Sequence, residues 1–114
     1  MNPNTQDFDI EMLQASAAKA CGLLKVLANP DRLLLLCQLT QGELCVSDLE
    51  RATGIRQPTL SQQLTILREE QLVSTRREGK QIFYSIVSKE TVAVMQVLYE
   101  LYCVAPRNRE GKRK

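Results

Sequence analysis

From residue 10 onward, apolar side chains recur at helical spacing. Ile10, Leu13, Ala17, Ala20, Leu24 and Leu27 fall on one face of a helix that ends near Ala28–Asn29–Pro30. Pro30 opens a second helix at its first turn, where the missing N–H costs nothing. That helix carries DRLLLLCQL and is apolar nearly all round, so the pattern places it at the centre of the fold. Gly42 ends it. SDLE then reads as a capping box, with Ser47 as N-cap and Glu50 three residues on. It starts a short helix to about Thr53 that Gly54 closes.

A fourth helix starts at Pro58. Leu60, Leu64 and Leu67 form its apolar face, with Ile55 just ahead of it. The period then changes. LVSTRREGKQIFYSI holds two short alternating runs around Glu78–Gly79–Lys80, the pattern of a β-hairpin in which Gly79 supplies the positive φ. Ser88 caps a last helix with Val94, Leu98, Leu101 and Tyr102 on one face and Val87, Met95 and Val97 near it, and Pro106 stops it. The expected class is mainly α with a small β-hairpin. The short helix, Gly turn and polar-faced helix form a helix-turn-helix, and the hairpin is its wing. The expected boundaries are a disordered N-terminus over 1–9, a winged helix-turn-helix domain over 10–105 with dimerisation helices at both ends, and a basic flexible tail over 106–114.

Charge sharpens this picture. The net charge is only +2, but residues 51–80 hold six bases (Arg51, Arg56, Arg68, Arg76, Arg77, Lys80) against three acids. A nucleic-acid surface would therefore be local. A recognition helix presents hydrogen-bonding side chains from its first turns, and here those are Gln57, Thr59, Ser61, Gln62 and Gln63. Arg56 and Arg68 suit phosphate, and Arg76, Arg77 and Lys80 flank the wing tip. Each of these is otherwise an ordinary solvated residue. The first and last helices carry apolar faces that a domain this small leaves without a partner. Pairing across a two-fold axis would set two recognition helices on a near-palindromic double-stranded operator. The alternative is that they complete the monomer core.

The 114 residues suffice for one domain with a modest core of Leu, Val, Ile and Ala. The N-terminus is acidic and the longest aliphatic run, Leu33–Leu36, is far too short to span a membrane, so the expected location is cytoplasmic. There the four cysteines are buried hydrophobes, metal ligands or redox-active thiols, not a disulfide framework. The chain has no His, no convergent carboxylates and no Gly-rich phosphate loop, which argues against an enzyme, and nothing implies a cofactor.

LANPDRLLLLCQL, GELCVSDL, QPTLSQQLTILREEQLV and REGKQIFYSI, in this order, resemble the ArsR/SmtB family of dimeric winged-helix repressors over roughly residues 15–104. The resemblance implies a repressor that leaves its operator when an inducer binds. The family's zinc site needs His and is excluded. Its metalloid motif E-L-C-V-C-D-L is matched by Cys45, but Ser47 stands at the second cysteine, so a thiol-bound metalloid or soft metal would need Cys45 with Cys37. LLLLCQL and LYELYC resemble the paired cysteines of the family's persulfide-sensing BigR/SqrR-like branch, to which HlyU is related. The resemblance implies Cys37 and Cys103 as the redox pair, a persulfide or polysulfide as inducer, and sulfide-detoxification genes as targets. An HlyU-like antirepressor of virulence genes is a further alternative. Cys21 and Cys45 have no counterpart in the pair and are expected to be packing residues.

Overall fold

The structure is a computed structural model and describes residues 9–103. Five helices and three strands follow in the order α1 (Ile10–Leu27), α2 (Pro30–Leu39), β1 (Leu44–Cys45), α3 (Val46–Thr53), α4 (Thr59–Glu69), β2 (Val73–Glu78), β3 (Gln81–Ile86) and α5 (Lys89–Tyr102). This is the winged helix-turn-helix that the apolar periods predict. Asp9 is the N-cap of α1, its carboxylate accepting from the Glu11 N–H at 3.3 Å. The expectations for residues 1–8, for the stop at Pro106 and for the basic tail 106–114 lie outside the described residues.

Helix α2 starts where the Asn29 side chain accepts from the Arg32 N–H at 3.0 Å, with Pro30 in its first turn. Most of its apolar circumference is used, with Leu34 left exposed. Leu35 and Leu36 are 0% exposed, and α2 touches α1, α3, α4, α5 and β3. Leu49, Leu60, Leu64, Leu67 and Met95 close the core around it. Burying each such side chain contributes roughly 1.5–3 kcal/mol.

The sheet has the order β1-β3-β2, all antiparallel. Glu78 faces Gln81 across the two-residue loop Gly79–Lys80. Gly79 has φ +65 and no positive φ occurs at Lys80, the pattern of a type II′ hairpin. β1 was not expected from the sequence, and it corrects one expectation. Pairing with Phe83 holds Cys45 extended (φ −90, ψ 173), so α3 starts at Val46 and Cys45 is its N-cap position. Ser47 lies one residue inside the first turn and does not cap.

Helix α4 ends in a Schellman motif. The Leu72 N–H donates to the Leu67 carbonyl at 3.0 Å and the Gln71 N–H to the Arg68 carbonyl at 3.0 Å. The left-handed position is filled by Gln71 (φ 65), where a side chain is costly. Gln71→Gly should stabilise the fold by about 0.5–1 kcal/mol, the relief of left-handed strain exceeding the entropy cost of glycine. Urea unfolding checks this, and a lower midpoint would contradict it.

Candidate nucleic-acid interface and thiol pocket

The start of α4 projects a polar surface because Leu60, Leu64 and Leu67 take the opposite face into the core. Arg56, Gln57, Ser61, Gln62 and Arg68 are exposed, while Thr59 and Gln63 are half-buried. The three glutamines differ in what they have left to offer. The Gln57 Oε1 already accepts from the Ser61 N–H at 3.1 Å and the Ser61 hydroxyl at 2.7 Å. It thereby serves an N–H of the first turn that Pro58, which makes no side-chain cap, leaves open. The Gln63 Oε1 accepts from Arg32 Nη1 at 2.8 Å. Gln63 is thus a tie to α2 through its amide oxygen, which leaves only its amide nitrogen for the expected base contact. Among the described residues, Gln62 alone of the three has both amide ends uncommitted, as a bidentate contact to adenine requires.

The wing also departs from expectation at one position. Arg76 forks onto Glu43 (Nε to Oε2 2.7 Å, Nη2 to Oε1 2.9 Å), pairs with Glu78 at 2.8 Å, and lies 4.7 Å over the Phe83 ring. Its charge is spent on clamping the loop before β1 to the hairpin, not on the wing tip. The hydrogen bonds from Arg76 hold the Glu43 carboxyl below the usual carboxylate range. The clamp is therefore intact above that range and is lost as pH falls through the lowered value. Arg77 and Lys80 do sit exposed at the tip, with Arg77 Nε donating to the Gly79 carbonyl at 3.2 Å.

Between α2 and α5 lies an open apolar pocket of about 380 Å³. Cys37 and Cys103, distant in the chain, both line it, together with Leu33, Leu34, Met95, Leu98, Tyr99 and Tyr102. Both thiols are free. Cys37 is half-buried on α2, and Cys103 is exposed at the C-cap of α5, where its N–H donates to the Tyr99 carbonyl at 2.7 Å. Burial pushes the Cys37 thiol above its ordinary pKa, and the neighbouring Cys103 adds to this. Cys37 is therefore a poor thiolate at neutral pH.

The other two cysteines lie elsewhere. Cys45 is buried in β1, its thiol donating to Asp48 Oδ2 at 3.2 Å and lying 3.3 Å from the Ser47 hydroxyl. Its burial fits the expected packing role, and it does not line the pocket of Cys37. Among the described residues no three Cys, Asp or Glu side chains converge as a metal site. Cys21, expected to be a packing residue, is exposed on α1 in the single chain.

Sequence reasoning missed Arg32. Besides holding Gln63, its Nε donates to the Val26 carbonyl in the last turn of α1 at 2.6 Å. One guanidinium thus joins α1, α2 and the recognition helix. Only its place at the start of a buried helix hinted at this. Tyr99 and Tyr102 were likewise not recognised as pocket walls.

Residues 29–75 match the model of the bacterial regulatory protein arsR family. The chain is 44% identical over 102 residues to the biofilm growth-associated repressor of Agrobacterium fabrum, covering 90% of this chain and 87% of that one. It is 40% identical over 98 residues to the transcriptional activator HlyU of Vibrio cholerae, covering 86% and 91%. The crystal structure of the transcriptional repressor BigR from Xylella fastidiosa superposes with a TM-score of 0.79 at 43% identity, covering 86% of this chain and all of that one.

Two measurements check the assignments. Gln62→Ala should cut the preference for operator over random DNA by about 1–3 kcal/mol and leave the salt slope of binding unchanged. An equal loss on both DNAs would contradict a base contact. Iodoacetamide at neutral pH should label Cys103 well before Cys37, with the Cys37 rate still climbing above the ordinary thiol pKa. Equal rates at neutral pH would contradict the assignment.

Proposed function

Because the chain belongs to the bacterial arsR family of regulatory proteins, we propose that it is a DNA-binding transcriptional repressor that leaves its operator when reactive sulfur joins Cys37 to Cys103. One observation carries the reading: two free thiols far apart in sequence share one pocket, one wall of which is the helix that holds the recognition helix. The chemistry follows from their exposure. Cys103, the open thiol, attacks a sulfane sulfur of a polysulfide and becomes a persulfide. Cys37 then attacks Cys103 Sγ and expels hydrosulfide. The two thiols lose two electrons to the polysulfide, and a disulfide, or a bridge retaining an extra sulfur, ties α5 to α2.

The active species is a homodimer. Ile10, Leu13 and Leu24 on α1 and Val97 and Leu101 on α5 are exposed apolar side chains in the single chain, Ile10 to 63% and Val97 to 55%. Such a surface marks an interface. Pairing these helices sets two α4 helices at one spacing, for successive major grooves of a near-palindromic operator. Arg56, Arg68, Arg77 and Lys80 supply phosphate contacts, and Gln62, with Thr59, Ser61 and the Gln57 amide nitrogen, faces the bases. Residues 9–103 contain no helix long and apolar enough to cross a membrane, and the repressor works in the cytoplasm.

The Vibrio cholerae relative is named an activator, which favours one second reading. In that reading the same DNA binding by this chain raises transcription by displacing a silencing protein. Deleting the gene separates the two: reporter output from its own operator rises for a repressor and falls for an antirepressor.

Reduced protein treated with polysulfide should show an intact mass lower by two hydrogens, or higher by one sulfur less two hydrogens. Peptide mapping should place the link at Cys37–Cys103. Operator affinity should fall about 5- to 150-fold and recover with reductant. Cys37→Ser and Cys103→Ser should keep DNA binding and lose the response. Both variants responding like the wild type would overturn the pair. Release by As(III) alone, abolished in Cys45→Ser, would assign sensing to Cys45.

A further inference from the structure

We propose that the Cys37–Cys103 pocket chooses its sulfur donor by polarity, taking uncharged organic polysulfides with small alkyl or aryl ends over anionic polysulfides and charged peptide polysulfides. The inference rests on the sensor function proposed above and adds the chemical class of its inducer.

The walls carry the argument. Leu33, Leu34, Met95 and Leu98 are apolar, Tyr99 and Tyr102 add aromatic rings, and among the described residues no charged side chain lines the space. The volume of about 380 Å³ lies in the range of small-molecule sites. The other approach to Cys37 is a groove bearing Thr40, Gln41, Gln96 and Glu100, so its one charge is a carboxylate. Among the described residues, an anionic donor reaching Cys37 therefore meets no cation on either side. It must shed its hydration against an apolar wall or pass an acid, and both disfavour it. An alkyl or aryl end loses nothing by entering and fills the space between α2 and α5.

The reaction balances with an organic trisulfide, R–S–S–S–R. The Cys103 thiolate attacks an outer sulfur, one S–S bond breaks, and R–S–S⁻ leaves to take up a proton. Cys37 then attacks Cys103 Sγ and expels R–S⁻, which is protonated in turn. The two cysteines are oxidised by two electrons to a disulfide, and the trisulfide is reduced to R–S–SH and R–SH.

The test uses reduced full-length protein and three donors at equal sulfane sulfur: dipropyl trisulfide, sodium tetrasulfide and glutathione trisulfide. Bridging is followed by intact mass and operator release. Dipropyl trisulfide should bridge faster than either charged donor by on the order of tenfold. Leu34→Lys puts a cation on the rim at an already exposed position, so folding is not at risk. It should slow dipropyl trisulfide and speed tetrasulfide. Equal rates for the three donors, faster tetrasulfide in the wild type, or an unchanged ratio in Leu34→Lys would overturn the selectivity and leave the sensor standing. Failure of all three donors to bridge the pair would overturn the sensor, and this inference with it.

Discussion

Burial of helix α2 is the constraint on which the rest of the molecule depends. Leu35 and Leu36 are wholly inside and Leu39 nearly so, so α2 touches every other helix and the central strand. A helix with this many packed neighbours cannot shift without moving them, because interiors are close-packed and repack between discrete arrangements. The same ten residues carry both functional connections. Arg32 reaches Val26 and Gln63, and Cys37 opens onto α5. Five residues of rise separate them, about 7.5 Å. The proposed covalent tie at Cys37 would therefore pull on a rod whose other end holds the recognition helix.

The DNA face is shaped as much by what is withheld as by what is offered. Arg76, the most engaged base of the wing, is neutralised by Glu43 and Glu78 and fixes where the hairpin stands. Lys80 and Arg77 at the tip, and Arg56 and Arg68 beside α4, keep their charge toward solvent. Gln57 and Gln63 are bound internally, one to its own helix start and one to α2. Residues of one type thus differ in their commitments, and among the described residues Gln62 alone of the three keeps both amide ends free.

The parts of the fold legible in the sequence were those with a period. Leu60, Leu64 and Leu67, and the all-apolar run of α2, announce buried faces, while Pro30, Gly54, Gly79 and Ser88 mark the ends where structure finds them. Leu44–Cys45 was not legible because two residues carry no alternation. Missing that strand misplaced the start of α3 and gave Ser47 a cap it does not make. Side-chain commitments were not legible either. Nothing local distinguishes Gln62 from Gln63, or Arg76 from Arg77, since their partners Arg32 and Glu43 lie more than thirty residues away in the chain. The cysteine pair was named by family resemblance alone, and only the fold shows that one apolar pocket holds both thiols.

The central claim is that the tie between α2 and α5 is felt at α4 through Arg32. Side-chain NMR of the Gln63 amide and the Arg32 Nε–H, in reduced and in Cys37–Cys103-bridged protein, tests it directly. The account requires both resonances to move on bridging and to return on reduction, together with backbone shifts along α2 and α4. Shifts confined to α5 and the Cys37 turn, with Arg32 and Gln63 unmoved while operator affinity still falls, would contradict it.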